Sequence, residues 1–396
     1  MNYLDCISAG GIVFIREGLI KAQAAGQKVY RFESGDPSFS MHPKIKEAIT
    51  KAMELNKTHY TAGDGIAELK KAIAERSCKQ GTEITPEDVF ITNGAMNGLF
   101  LTYMCLQDDG MKSIVVPDPM WTEAVENIKL AGINVLPVAF DPQTENYTWS
   151  KNNEETHAYN LGGIFLNSPH NPTGKVLTNK EKQEIVDNSV KKNIWLIADE
   201  AYETITYDGQ HTNTSAMIPK GFDKWVSLHS MSKSFAMPGL RLGWIITKNA
   251  QLKSRLSKLM RCNINGINSI TQWGAVEALS LDRSEPYFTD MNEEYVIRRD
   301  IMYQNIKNNP IITPILPDGG FFMWCRVNKG YDAAKLSTKL ASMGMGNAPG
   351  DCFGSAETTV NSIRFSFSVD TAQVIEGSKE LGRILNDEDF QNEVKI

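Results

Sequence analysis

The sequence has no uncharged apolar run near the ~18 residues that a membrane span requires, and MNYLDC, ahead of the apolar ISAGGIVFI, carries no lysine or arginine. Neither a membrane helix nor a secretory leader is expected, and the expected location is the cytoplasm. Cysteine is scarce: Cys6, Cys78, Cys105, Cys262, Cys325 and Cys352 are scattered, with no CxxC pair. That scatter excludes a disulfide framework and fits free thiols in a reducing compartment. The six histidines have no metal-ligand spacing, so no metal is expected. Positive charge is in deficit, 41 Lys and Arg against 47 Asp and Glu, which argues against nucleic acid or an anionic membrane as the main partner. GxxxxGK, HExxH and GxSxG motifs are missing as well. GDGIAEL has two glycines of a dinucleotide fingerprint but lacks the third and a preceding apolar strand.

What is present is an ordinary globular composition, 41 % hydrophobic and 22 % charged, over 396 residues, enough chain for a large and a small domain. From about residue 85 to 250, the runs VFIT, SIVVP, NVLPV, GGIFLN, NIWLIAD, WVSLHS and GWIIT alternate with helical patterns, including Asn93 to Gln107, Thr122 to Ala131 and Thr178 to Lys191. Apolar strands alternating with helices predict an α/β fold with a mainly parallel sheet sandwiched by helices. A charged helix from Glu285 to Asn308, the runs PDGGFFMWCRV and SIRFSFS, and a helix from Thr371 to Leu385 predict a smaller α+β domain. The expected division is an arm and part of the small domain over 1–40, the large domain over 41–285 and the small domain over 286–396.

Ligands of such sheets bind at the carboxyl ends of the strands. Asn93 and Gly94, Trp121, Asn171, Asp199 and Ser230 all follow a strand there. In SMSKSFAMPGLRLGW, Ser230 and Ser232 stand beside Lys233, with Arg241 eight positions on. A lysine taken alone is a solvated surface residue. Hydroxyls and a guanidinium around one anion, with an amine next to it, suggest a Schiff base to a phosphorylated aldehyde. Asp199 ends a buried strand, where it serves either as a cap or as the carboxylate that keeps a pyridine nitrogen protonated. Tyr202 lies three residues on. ITNGAMNGLF opens a helix at Gly94, Ala95 and Met96, whose free N–H groups suit a phosphate. SPHNPTG fixes a turn around Asn171, and Trp121 is available either for core packing or to stack on a flat ring. In SIRFSFS, alternation puts Arg364 on the face opposite Ile363 and Phe365.

With SxSK(x7)R, DEAY, NPTG and TNGA in this order, the chain resembles the class I/II pyridoxal-phosphate aminotransferases of fold type I, over about residues 30 to 370. The resemblance implies pyridoxal 5′-phosphate as cofactor, an L-amino acid and a 2-oxo acid as substrates, and a homodimer with shared sites. It makes Lys233 the Schiff-base lysine and proton shuttle, Asp199 the partner of the pyridinium, and Tyr202 and Asn171 the partners of the phenolic oxygen. Trp121 would stack on the ring, and Gly94, Ala95, Met96, Ser230, Ser232 and Arg241 would hold the phosphate. Arg364 would clamp the substrate's α-carboxylate, Gly35 would close over it, and Tyr60 would reach the neighbouring subunit's phosphate.

In otherwise similar bacterial aspartate aminotransferases the position of Met96 is often a lysine that meets the side-chain carboxylate. A methionine there points away from a strictly acidic substrate unless another cation substitutes, and toward a neutral, polar or aromatic one. The arm SAGGIVFI is expected at the substrate mouth, with Arg16 just beyond. Asn263, Asn265 and Asn268 in RCNINGINS serve either a partner's pocket or as caps. The same grip also supports β-elimination, racemisation, oxidation or bond formation at the α-carbon, which remain the alternative to transamination. A ligand-sensing regulator on this scaffold would carry an added basic helix-turn-helix segment, and the acidic chain opens directly on the arm.

Overall fold

Each apolar run becomes a strand of one sheet in the computed structural model, which describes residues 4, 7, 11–141, 146–147, 161–207, 209 and 211–396. Cys6 and residues 8–10 of the arm lie outside the described residues; the other five cysteines are free thiols. The strands are β1 Val89–Thr92, β2 Ser113–Asp118, β3 Asn134–Asp141, β4 Asn146–Tyr147, β5 Leu161–Asn167, β6 Trp195–Asp199, β7 Trp225–Ser230 and β8 Gly243–Ile246. Their order is β1-β8-β7-β6-β5-β2-β3-β4. The pairs from β7 through β6, β5 and β2 to β3 are parallel. β8 runs antiparallel to both β1 and β7, and β4 antiparallel to β3. The inversion of β8 has a simple cause: the link from Ser230 to Gly243 holds a one-turn helix and a 3-10 turn, and no helix able to carry the chain back across the sheet.

Strands β1, β2, β6, β7 and β8 are buried at every position, because helices cover both faces. Leu99, Ile114, Ile197 and Leu228 pack on one side, and Ile164, Leu166, Leu196 and Trp244 on the other. Full burial of each such aliphatic side chain contributes roughly 1.5–3 kcal/mol. The covering helix Asn179–Lys192 shows how sequence sets the ends. Thr178 accepts the N–H of Glu181, Glu181 reaches back to the N–H of Thr178, and Asn193 stops the helix in a left-handed turn at φ 51°. Gly98 lets the helix Gly94–Asp108 lie against the sheet, since a Cβ there would stand 2.8 Å from Leu228 Cδ2.

A second, antiparallel sheet has the order β11-β12-β10-β9, with β9 Ile312–Pro314, β10 Phe322–Val327, β11 Ala348–Pro349 and β12 Ser362–Ser366. The helices Pro286–Ile306 and Thr371–Leu385 pack together and send Met302, Ile306, Leu381 and Leu385 into the core it shares with Phe321, Phe365 and Phe367. The segment after the helix Gly11–Ala24 returns here: Tyr30 donates to the Gly344 carbonyl at 2.9 Å, and Ser366 donates to the Phe32 carbonyl at 2.7 Å. That return sets the loop carrying Gly35 beside β12. Among the described residues no helix is long and apolar enough to cross a membrane.

Candidate active site

At the end of β7 the Ser230 hydroxyl accepts the N–H of Ser232 at 3.1 Å, which ends the strand and starts the one-turn helix Met231–Ser234. Lys233 rides on that turn. Its Nζ crosses to the opposite loop and donates to the Gly35 carbonyl at 2.6 Å. A Cβ on Gly35 would stand 4.0 Å from this amine and 3.4 Å from Phe322 Cζ, so a larger residue would crowd the space over it. Burial lowers the Lys233 pKa to about 8, with Arg241 and Arg364 adding to the effect and Asp36 opposing it.

At the end of β6, Asp199 is 3 % exposed and its carboxylate accepts the Ala201 N–H at 3.0 Å. Burial pushes its carboxyl up to about 6, against the pull of Ala201 and His229. Asn167, at the neighbouring end of β5, donates to the Asp199 carbonyl at 2.9 Å and accepts the Asn171 N–H at 2.8 Å. One side chain thus fixes both loops. Asn171 in turn accepts from Arg364 Nη1 at 3.0 Å, and the buried Tyr202 lines the same cleft. Burial raises the Tyr202 pKa above the usual phenol range, against the pull of Arg364 and Asn171, so its hydroxyl keeps its proton at neutral pH.

Arg364 projects from β12 with its Nη2 on the Glu33 carbonyl at 2.9 Å and its Nε buried without an acceptor. Its face of the strand is the one opposite Ile363 and Phe365, as the alternation requires, yet that face is not wet. The guanidinium lies 4.2 Å from the Phe322 ring centre and 4.9 Å from that of Phe353, where cation–π attraction offsets part of the desolvation. Burial lowers its pKa to about 10, which leaves it charged at neutral pH.

The far end of the cleft is shaped for an anion. Helix Gly94–Asp108 starts directly after β1, and the first N–H groups of a helix have no partner within it. Gly94 has φ 76°, and a Cβ there would meet Arg241 Nη2 at 2.7 Å, so only glycine lets the guanidinium lie against this helix start. Arg241 itself holds φ 53° and donates to the Pro238 carbonyl at 2.9 Å. Trp121 caps the helix Thr122–Leu130, half-buried at the cleft wall.

One cleft of about 380 Å³ therefore unites Gly35, Ala95, Met96, Trp121, Asn171, Asp199, Tyr202, Ser230, Ser232, Lys233, Arg241 and Arg364, with Gly94 just behind Arg241. Tyr60 is apart: it is 93 % exposed, in a separate surface groove with His59, Asn265 and Asn268. Asn268 caps the helix Ser269–Ser280 by accepting the Thr271 N–H at 3.1 Å, Asn265 takes a left-handed turn at φ 54°, and Asn263 ends the helix Ala250–Asn263. Sequence reasoning missed Asn167, Phe322, Phe353, Glu33, Asp36 and Glu123. Asn167 had a signal, since it closes GGIFLN at a strand end; the others depend on contacts between distant segments. Among the described residues no cluster of His, Cys, Asp and Glu could hold a metal.

A family model described as aminotransferase class I and II matches residues 27–380. The chain is similar to the aspartate aminotransferase of Pyrococcus horikoshii, 31% identical over 380 residues that cover 94% of this chain and 95% of that protein. It is also similar to the arginine–pyruvate transaminase of Pseudomonas aeruginosa, 29% identical over 335 residues, 83% of either chain. Among solved structures it resembles the aspartate aminotransferase of Thermotoga maritima, with a TM-score of 0.87, 25% identity, and coverage of 98% of this chain and 100% of that one.

Proposed function

The chain belongs to the class I and II aminotransferases, and on that premise we propose that it binds pyridoxal 5′-phosphate at Lys233 and moves an amino group from an L-amino acid to a 2-oxo acid. The observation that carries this reading is a buried amine and a buried carboxylate in one cleft, the amine lowered to about 8 and the carboxyl raised to about 6. The donor set fits the cofactor. Asp199 is a desolvated carboxylate with a single hydrogen bond among the described residues, and a cationic ring nitrogen is a partner that suits it. Arg364 keeps a buried Nε with no acceptor, the place for a carboxylate oxygen.

When bound, the cofactor supplies an electron-poor ring that makes bonds at an attached amino acid's α-carbon breakable. Asp199 holds a proton at the ring nitrogen. Tyr202 and Asn171 would bind the phenolic oxygen, and Trp121 would stack on the ring. The hydroxyls of Ser230 and Ser232, the Arg241 guanidinium and the N–H groups of Gly94, Ala95 and Met96 hold the phosphate. Arg364 grips the α-carboxylate, with Gly35 above it, and this fixes which α-carbon bond faces Lys233. The Lys233 amine would be the group that takes up and gives back the proton of the α-carbon; a pKa near 8 keeps part of it neutral at physiological pH.

We extend the reading to a cytoplasmic homodimer in which Tyr60 serves the neighbouring subunit's phosphate. Its 93 % exposure and its distance from its own chain's cleft support this. The three-part division at residues 40 and 285 is part of the same proposal, supported by the return of Tyr30 and Phe32 to the second sheet. The test is to load the protein with pyridoxal phosphate, add L-amino acids singly, and follow the visible spectrum with assays for 2-oxo acid and ammonia. One 2-oxo acid per bound cofactor, without ammonia, is the expected result. Ammonia release with the cofactor unchanged would overturn it.

A further inference from the structure

Eight charged side chains line the cleft: Arg16, Glu33, Asp36, Glu123, Asp199, Lys233, Arg241 and Arg364. Six have a partner or a task. Lys233, Asp199, Arg241 and Arg364 face the cofactor and the α-carboxylate in the reading above. Glu33 is buried and pairs with Arg31 at 2.6 Å, and the charge of Asp36 acts on Lys233. Arg16 and Glu123 remain. Arg16 stands on the helix Gly11–Ala24, one turn after Ile12, which lines the same cleft. Glu123 stands in the first turn of Thr122–Leu130, two residues after Trp121. Both keep exposed area, and among the described residues neither makes an ion pair or hydrogen bond with another side chain, including the other of the two; partial burial in the cleft raises the Glu123 carboxyl above the ordinary carboxylate range, against the pull of its own backbone N–H and of the Arg364 charge. Met96 in the same wall is neutral, its sulfur 3.7 Å from the Asn127 amide.

Taken singly, Glu123 is a carboxylate favourable at a helix N-terminus and Arg16 a solvated cation. Their presence on separate elements of one ligand cleft, unpaired and opposite in sign, is what those readings leave unexplained. We infer that Arg16 and Glu123 form the side-chain subsite of the aminotransferase proposed above, and that it selects amino acids whose side chain ends in a neutral group able to accept and to donate hydrogen bonds, such as a carboxamide.

A side chain ending in a carboxylate satisfies Arg16 but meets Glu123 and Asp36 as like charges. One ending in an ammonium or guanidinium satisfies Glu123 and meets Arg16. A carboxamide offers its oxygen to Arg16 and its N–H to Glu123, so that both charged groups stay hydrogen-bonded when the cleft is covered. Selection then works by repulsion against charged competitors as much as by attraction.

The test uses isosteric pairs that differ in this group alone. Succinate and succinamate do not react, and each brings one carboxylate for Arg364; their affinities for the cofactor-loaded protein are measured by calorimetry. Succinamate should bind about tenfold more tightly, and asparagine and glutamine should outrun aspartate and glutamate in the amino-donating half-reaction by a similar factor. Glu123→Gln should shift the balance toward succinate, and Arg16→Met should weaken succinamate, while both variants stay folded, with melting temperatures moved by no more than the loss of one charge at a helix end accounts for. Succinate bound as tightly as succinamate, or a ratio that Glu123→Gln leaves unmoved, overturns the subsite. The binding comparison needs no turnover, so a protein that prefers succinamate yet transaminates nothing would sink the functional reading alone. One that transaminates but prefers diacids would sink the subsite alone.

Discussion

At the floor of the cleft Lys233, Asn171, Asp199 and Ser230 are each tied to a neighbouring turn or loop by a hydrogen bond of 2.6 to 3.1 Å, whereas at the mouth Arg16 and Glu123 keep exposed area and, among the described residues, have no hydrogen bond or ion pair with another side chain. The floor is built from the carboxyl ends of β5, β6 and β7, whose apolar interiors leave no freedom of register. The mouth is built from a helix outside the sheet and the first turn of another. In the proposed reading the difference separates chemistry from selection: the groups assigned to the cofactor are buried and fixed, and the groups assigned to substrate choice sit where exchange of a side chain costs the fold little.

That contrast can be broken first at the floor. Lys233→Ala should lower turnover by about 10⁴-fold or more and abolish borohydride fixation of the cofactor. An active variant would remove the floor's central group. Next, Asp199→Asn should lower turnover by roughly 10³-fold while stabilising the cofactor-free protein. The sign follows from burial. The carboxyl is raised from 3.8 to about 6 in the fold, so its ionisation opposes folding fully above about pH 6 and not at all below about 3.8. The variant should therefore melt higher than the parent at pH 8, by a stability gain on the order of 1–3 kcal/mol, and equally at pH 4. An unchanged melting difference across that range would contradict the assignment.

Arg364→Lys keeps the charge but loses the fork and the ring contacts. KM for amino acids should rise about 100-fold with cofactor affinity held, since a desolvated charge pair is mispaired only when substrate binds. Loss of cofactor instead would move Arg364 from substrate to scaffold. The amine should also set a pH dependence: the rate at which the cofactor-free protein captures pyridoxal phosphate should climb up to about pH 8 and level off above it, as Lys233 loses its proton. A rate still rising tenfold per unit beyond pH 9 would show an ordinary lysine. The smallest effect belongs to the mouth. Met96→Lys should raise the preference for aspartate over asparagine by about tenfold or less, leaving reactions of other amino acids nearly unchanged.

The sheet was legible because its strands are buried on both faces and read as unbroken apolar runs; VFIT, GGIFLN, NIWLIAD and WVSLHS each became a strand. The reversal of β8 was not legible, since GWIIT looks the same in either direction and only the short link before it decides. At the site, Lys233, Asp199 and Asn171 announced themselves by their place at strand ends. Asn167, which ties the last two together, does so through a side chain whose targets lie four and thirty-two residues away. Arg364 could be placed on a face of its strand, but not beside Phe322 and Phe353, because contacts between distant segments leave no mark in either one. Arg16 and Glu123 carry no pattern of their own, and their meaning comes from the cleft that brings them together.

The most direct test of the central claim is to reduce the cofactor-loaded protein with borohydride and map the modified peptide by mass spectrometry. The account predicts one pyridoxyl adduct, on Lys233 in the segment SMSKSFAM. An adduct on any other lysine, or none in a protein that binds the cofactor and turns over, would contradict it.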